Sequence, residues 1–238
     1  MIKRLFDITA ASLALVLLSP LMALTMLLII LDEPGSPIYK STRVGRNMKK
    51  FTFYKFRSMR VKADAELNRL ICNNLYSFSY ADDENLSLPE ELHSVRLYGD
   101  NYCVSEYDYL TENAKLKNSC FVKIAKDPRI TWFGSFIRKT SIDELPQLVN
   151  IIKGDMSIVG NRPLSVGEAE MLTNDEYGKR FDCPAGLTGL WQIQPDKDSM
   201  PCEKRRQLDI EYAGKASIGL DIKIILGTFR KVFSRSNV

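Results

Sequence analysis

The stretch LALVLLSPLMALTMLLII, residues 13 to 30, is as apolar as a membrane segment yet carries Ser19 and Pro20 at its centre. It lies in an uncharged run of 24 residues, Ile8 to Leu31. As one straight helix that run would reach roughly 36 Å, enough to cross a hydrocarbon layer of about 30 Å. The flanks oppose crossing. Lys3 and Arg4 precede the run, and Lys40, Arg43, Arg46, Lys49, Lys50, Lys55, Arg57, Arg60 and Lys62 follow it. Positive charge holds a flank on the cytoplasmic side, so both ends of the run ask to stay there.

Pro20 offers a way out. A proline inside a helix removes a backbone donor and clashes with the preceding turn. Arms of half the run's length reach only about 18 Å, halfway into the layer. Ser19 can hydrogen-bond a carbonyl that the proline frees, where no water is present to do so. The expectation is a re-entrant hairpin over residues 1–34, entering and leaving on one face. A kinked single span fits the same residues, because proline is tolerated in such helices. A signal peptide fits less well, since the run is long and no A-x-A-like site closes it.

The rest of the chain narrows the chemistry. With 238 residues and 45% hydrophobic content it can bury one substantial core. A formal charge of +4 is too mild to argue for nucleic acid. Cys72, Cys103, Cys120, Cys183 and Cys202 are odd in number and include no C-x-x-C pair, so neither a disulfide framework nor a zinc site is expected and a reducing compartment fits. His93 is the single histidine, which removes most Ser-His-Asp and Cys-His schemes. Carboxylates, lysines and arginines must carry any chemistry.

Beyond Pro34-Gly35 the chain is basic, and FTFYKF, residues 51 to 56, alternates as a short strand. That stretch suits phosphates, anionic headgroups or plain solvent. Residues 64 to 112 then hold eleven Asp or Glu against Arg69 and Arg96, a balance that an anionic membrane surface would repel. Together with six tyrosines this marks residues 64–120 as an acidic insertion, a lid or a partner surface. Further on, Leu145, Leu148, Val149 and Ile152 have helical spacing, Gly154-Asp155 ends that helix, and Met156 to Val159 reads as a strand. Over residues 215–236 the apolar stripe Ile222, Ile225, Leu226, Phe229, Val232 and Phe233, with Lys223, Arg230, Lys231 and Arg235 beside it, fits a helix in the membrane interface or one facing a core.

Asp143 and Glu144, in KTSIDELPQL, are the sharpest carboxylates. Ser141 and Glu144 fit a capping box, and Pro146 places a helix start nearby. Alternatively, adjacent carboxylates at a helix terminus do two jobs: one attacks phosphorus while the other holds Mg²⁺ against a diphosphate. They diverge by about 100° on a helix, unlike the opposed carboxyls of a glycosidase. Lys55, Arg57, Arg138 and Arg162 are the cations a phosphate would need. No P-loop or Rossmann glycine motif occurs.

KRLFD (3–7), the run broken at Ser19-Pro20, YKFRSM (54–59), DPRIT (127–131), RKTSIDELPQL (138–148), KGDMSIVGNRP (153–163), PAGLTGLWQI (184–193) and LDIEY (208–212) together resemble the bacterial sugar transferase family, the monotopic phosphoglycosyl transferases. The resemblance spans the chain apart from residues 64–120. It implies an α+β, mostly helical fold: a re-entrant membrane helix (1–34) and a small catalytic domain (35–238) facing the cytoplasm from the bacterial inner membrane. It also implies ping-pong transfer of a phosphosugar from a UDP-sugar to undecaprenyl phosphate, with release of UMP, as the first membrane step of glycan assembly. Asp143 would be the nucleophile and Glu144 the Mg²⁺ ligand. Lys55, Arg162, Pro163 and Asp209 would contact substrate.

Implied partners are the UDP-sugar, undecaprenyl phosphate and one membrane leaflet, with a second copy or downstream glycosyltransferases as further candidates. Three features depart from the family pattern, one being that the acidic 64–120 segment is longer than the family's usual connection. Asn161 stands where G-P-R-P has proline, and is expected to loosen the loop carrying Arg162. Pro195-Asp196-Lys197 follows WQIQ where Gly-Arg is common, leaving Lys197 as a weak substitute. The competing class is a membrane-anchored scaffold that binds anionic lipid and recruits partners through the acidic insertion.

Overall fold

The computed structural model describes residues 2–61, 63, 96–99, 102–105, 127–172, 177–197 and 200–233. Two compact units divide the chain. One contains residues 1–66 and 127–238, the other residues 67–126.

Helix α1, Ile2–Asp32, opens the first unit and contains Pro20. Its backbone stays helical through the proline, so no gap in secondary structure separates two arms. The carbonyl of Val16 is the acceptor that the N–H of residue 20 would have taken, and Ser19 Oγ donates to it at 2.8 Å. On one side of this point α1 is held by polar groups of its first turns. Lys3 Nζ donates to the Val159 carbonyl at 3.0 Å and pairs with Asp221 at 2.5 Å. Arg4 donates to the carbonyls of Ile151 and Ile152, and Asp7 Oδ1 accepts from the Ile158 N–H. On the other side Ile29, Met22 and Met26 pack against Phe56, Phe133 and Ile137. Leu13, Val16, Leu17 and Leu21, around the proline, are exposed.

Strands β1 (Ile38–Val44) and β2 (Lys50–Phe56) form an antiparallel hairpin, and β2 covers the alternating FTFYKF run. Asn47 and Met48 both have positive φ, 54° and 59°. That is the signature of the tight turn whose twist matches a right-handed hairpin. The register sets Tyr39 opposite Lys55, Ser41 opposite Phe53 and Arg43 opposite Phe51, so these residues share one face.

In the second unit the described residues form the antiparallel pair β3 (Arg96–Gly99) and β4 (Tyr102–Ser105). The remainder of the expected 64–120 insertion lies outside the described residues.

Helix α2 (Trp132–Lys139) starts at Thr131, whose side chain accepts from the Gly134 N–H. Helix α3 (Gln147–Lys153) ends at Gly154, φ 97°, as the Gly-Asp pair requires. It leads into β5 (Met156–Val159), with the bounds expected from the sequence. Strand β6 (Leu164–Ser165) adds to the free edge of β1, and helix α4 (Val166–Leu172) follows. Strand β7 (Ala185–Thr188) pairs parallel with β5. A Cβ on Gly160 would lie 2.2 Å from the Pro184 carbonyl, so glycine is what lets the chain leaving β5 press against the approach to β7.

Helices α5 (Cys202–Lys215) and α6 (Ile218–Phe233) complete the unit. The expected helix over 215–236 is shorter at its start, because Lys215 closes α5 and two residues intervene. One face of α6 enters the core through Ile224 and Leu220, while Ile218, Ile222, Leu226 and Phe229 stay exposed. The fold is thus mixed and mostly helical. Ala11 of α1, Phe53 of β2, Leu148 and Ile151 of α3, Met156 of β5 and Ala185 of β7 form its central cluster.

Candidate active site

The carboxylate pair sits in a single-turn 3₁₀ helix, Ile142–Glu144, between α2 and α3. Ile142 and Leu145 pack under it against the Phe56 and Ile137 cluster, which leaves Asp143 and Glu144 to face elsewhere. The capping-box reading fails. Ser141 has left-handed backbone angles, φ 57° and ψ 17°, and its side chain makes no cap hydrogen bond. A non-glycine residue held there costs about 1 kcal/mol. Pro146 does stand at the start of α3, as expected.

Both carboxylates turn toward Lys55. Its Nζ lies 2.8 Å from Glu144 Oε1 and 3.4 Å from Asp143 Oδ2. Strand alternation puts Phe53 on the same face, and Nζ stands 5.8 Å from that ring's centre, with the Arg43 guanidinium 5.6 Å from it. The pair is electrically unequal. Burial raises Asp143 above the usual carboxylate range; the charge and hydrogen bond of Lys55 oppose this, while the Glu144 charge adds to it. Burial also pushes Glu144 up, but Lys55, Arg162 and Lys197 outweigh it and hold its carboxyl below the ordinary value. Lys197, within the departure after WQIQ, therefore still adds positive charge beside Glu144.

The pair lines a cavity of about 790 Å³. Lys55, Arg57, Arg138, Arg162 and Pro163 line it too, so the fold gathers these sequence-separated candidates around Asp143 and Glu144. Arg57 has a second task. Its guanidinium donates to the carbonyls of Ile29, Glu33 and Pro34, capping the end of α1. Asp209 is not among the lining residues. It is buried on α5 against Arg180, 2.8 Å away, with burial pushing its carboxyl up to about 6 against the pull of Arg180 and Arg162. Arg180 in turn donates to the backbone carbonyl of Arg162 at 2.9 Å.

Sequence reading missed Tyr39, Arg43, Gln147 and Gln192 among the lining residues. The alternation of IYKSTRV, paired in register with FTFYKF, would have put Arg43 and Tyr39 on the Lys55 face.

Two adjacent carboxylates and no third acidic, cysteine or histidine ligand among the described residues make no complete protein cage for a metal. Such a donor set suits Mg²⁺, which is commonly held by one or two carboxylates together with substrate phosphates and water.

This constellation lies inside a wider match. The profile described as bacterial sugar transferase covers residues 1–235. The chain belongs to the bacterial sugar transferase family. This family member is 36% identical to galactosyl transferase CpsE of Streptococcus agalactiae serotype III, over 97% of its own length and 42% of the relative's. It is 34% identical to exopolysaccharide production protein ExoY of Rhizobium meliloti, over 98% and 85% of the two chains. With undecaprenyl-phosphate galactose phosphotransferase of Salmonella typhimurium it shares 36% identity, over 98% and 41%. The chain thus spans about two-fifths of CpsE and of the Salmonella protein, and most of ExoY.

Proposed function

We propose that this chain transfers a phosphosugar from a UDP-sugar to undecaprenyl phosphate through a covalent intermediate on Asp143. The observation that carries the reading is a raised, buried Asp143 beside a paired Glu144 in a cavity walled by Lys55, Arg138 and Arg162. Relatives named for galactosyl and undecaprenyl-phosphate galactose transfer support the substrate class.

A carboxylate oxygen of Asp143 attacks the β-phosphorus. The bond from that phosphorus to the oxygen bridging the two phosphates breaks, and UMP leaves with the electron pair. The phosphosugar is then an acyl phosphate on Asp143. A phosphate oxygen of undecaprenyl phosphate attacks the same phosphorus, the carboxylate leaves, and a polyprenyl diphosphate sugar results. A raised carboxyl suits the first role, because a more basic carboxylate, once ionised, is the better nucleophile. Glu144, well paired and ionised, is the group that would hold Mg²⁺ with the diphosphate oxygens. When bound, that ion neutralises charge on the departing phosphate. Lys55 keeps the two carboxylates from repelling each other, and the guanidinium groups of Arg138 and Arg162 match phosphate oxygens.

A long lipid phosphate meets such a nucleophile at headgroup depth. The re-entrant reading of α1 is supported by both of its halves docking on one unit, while the residues around Ser19-Pro20 stay exposed. The exposed apolar residues of α6 and the exposed Trp132 and Phe136 of α2 are in keeping with a body that lies against a membrane. The catalytic unit would then face the cytoplasm, where UDP-sugars are made.

The test is UMP release. Purified protein with Mg²⁺ and undecaprenyl phosphate should release UMP from at least one of a panel of UDP-hexoses, and Asp143→Asn should not. Release at the wild-type rate by that variant, or none from wild type with any donor, overturns the proposal.

A further inference from the structure

The expectation that Asn161 loosens the segment carrying Arg162 is reversed by its contacts. Asn161 is buried, 3% exposed, and its Nδ2 donates to two carbonyls, that of Arg180 at 2.9 Å and that of Asp209 at 2.8 Å. Its own N–H donates to the Pro184 carbonyl, and its carbonyl accepts from the Gly186 N–H at 2.8 Å. One residue therefore ties the end of β5 to α5, to the turn containing Arg180 and to the entry of β7. Arg180, held by the buried Asp209 carboxylate, adds a bond to the carbonyl of Arg162 itself. Meanwhile Asn161 Oδ1 is buried with no protein partner among the described residues.

We infer that Asn161 and Arg180 are positioning residues that fix the Arg162 guanidinium in the cavity for a phosphate-bearing substrate. Neither side chain lines the cavity. They act through the Arg162 backbone: Asn161 clamps the residue before it and Arg180 the carbonyl after it. Loss of either lets that backbone drift, and a bidentate contact to phosphate oxygens is sensitive to such drift. The expected signature is weakened ground-state binding of the nucleotide diphosphate, with the chemistry at Asp143 largely intact.

This inference rests on the phosphosugar reading of the cavity, and the experiment separates the two. UDP binding is measured by calorimetry on the full chain in detergent for wild type, Asn161→Ala, Asn161→Ser, Arg162→Ala and the double variant Asn161→Ala with Arg162→Ala. Melting temperature is recorded for each. Asn161→Ala should raise the UDP dissociation constant about tenfold, the scale of one charge-assisted contact misaimed. Asn161→Ser, which keeps one donor, should recover part of that loss. In the double variant the Asn161 substitution should add less than about twofold to the Arg162→Ala effect, as residues acting through one contact are non-additive. In turnover, KM should rise while kcat changes less than about threefold. Should Asn161→Ala fail to fold, Asn161→Ser and Arg180→Lys carry the same comparison. Wild type that does not bind UDP sinks the phosphosugar reading. Wild type that binds it while Asn161→Ala and Asn161→Ser bind equally well, or whose Asn161 and Arg162 effects add in full, sinks the positioning role alone.

Discussion

Ser19 Oγ donates at 2.8 Å to the carbonyl of Val16, the acceptor left open by Pro20. In hydrocarbon that carbonyl has no water to turn to, so the Ser-Pro pair works as a unit: the proline removes a donor and the serine replaces it. Ser19→Ala should cost about 1 kcal/mol of stability in nanodiscs, read as a lower melting temperature. Pro20→Ala returns the N–H and favours a straight helix. It should move a fraction of molecules to a topology in which a tag before Met1 is labelled from the face opposite to a tag after Val238. In wild type both tags should label from one face.

The unequal carboxylates give opposite pH signatures. Asp143 titrates above its unfolded value, so its stabilising protonated form is fully present below the unfolded value and lost as pH rises through the folded one. Where Asp143 is ionised the wild type carries the cost of a buried charge, so Asp143→Asn should melt higher on the alkaline side, with a gain that shrinks on acidification. Glu144 titrates below its unfolded value, so its contribution is present above the unfolded value and is lost as pH falls through the folded one. Glu144→Gln should cost about 1 kcal/mol at pH 7, the scale of a partly exposed ion pair, with a penalty that fades in acid. Melting curves of both variants from about pH 8 down to about pH 3, a range that crosses the ordinary carboxylate value, check the two signs.

Lys55 is the shared counter-ion, and its removal leaves only the weaker pull of Arg138 against burial and Glu144 repulsion at Asp143. Lys55→Met should lower kcat by about 10²-fold or more, in the range of losing a preorganised charge. It should also move the acid limb of the rate profile to higher pH. Lys55→Arg should hold the limb near its wild-type position. A Lys55→Met profile with an unshifted limb would contradict the shared counter-ion role.

Met48 occupies a left-handed position at the tip of the β1–β2 hairpin, where glycine is the usual residue. Met48→Gly should stabilise the chain by about 1 kcal/mol without changing activity, as seen in denaturant unfolding beside a turnover assay.

Local signals were legible in proportion to how local their causes are. The end of β2 and the bounds of β5 followed from alternation and from the Gly154-Asp155 stop, and the Ser19 bond to a freed carbonyl followed from the proline. The misreading of Ser141 and Glu144 as a capping box has the opposite origin. Glu144 takes its partner from Lys55, 89 residues earlier, and no window around position 144 contains that lysine. Asn161 was judged by the proline it replaces, although its two carbonyl partners come from the turn at Arg180 and from α5, 19 and 48 residues away. Arg43 escaped notice because its place on the cavity wall depends on hairpin register. The groups a phosphate would need, and then motif resemblance, rather than propensity, gathered Lys55, Asp143, Glu144 and Arg162, and the cavity brings them together.

Isotope exchange in the absence of lipid bears most directly on chemistry at Asp143. Protein, Mg²⁺, an accepted UDP-sugar and labelled UMP are incubated without undecaprenyl phosphate. A phosphosugar held on Asp143 returns to the labelled UMP, so label should enter the UDP-sugar with wild type and not with Asp143→Asn. Full turnover with lipid present but no exchange without it would mean that donor and acceptor react directly, and that no carboxylate stands between them.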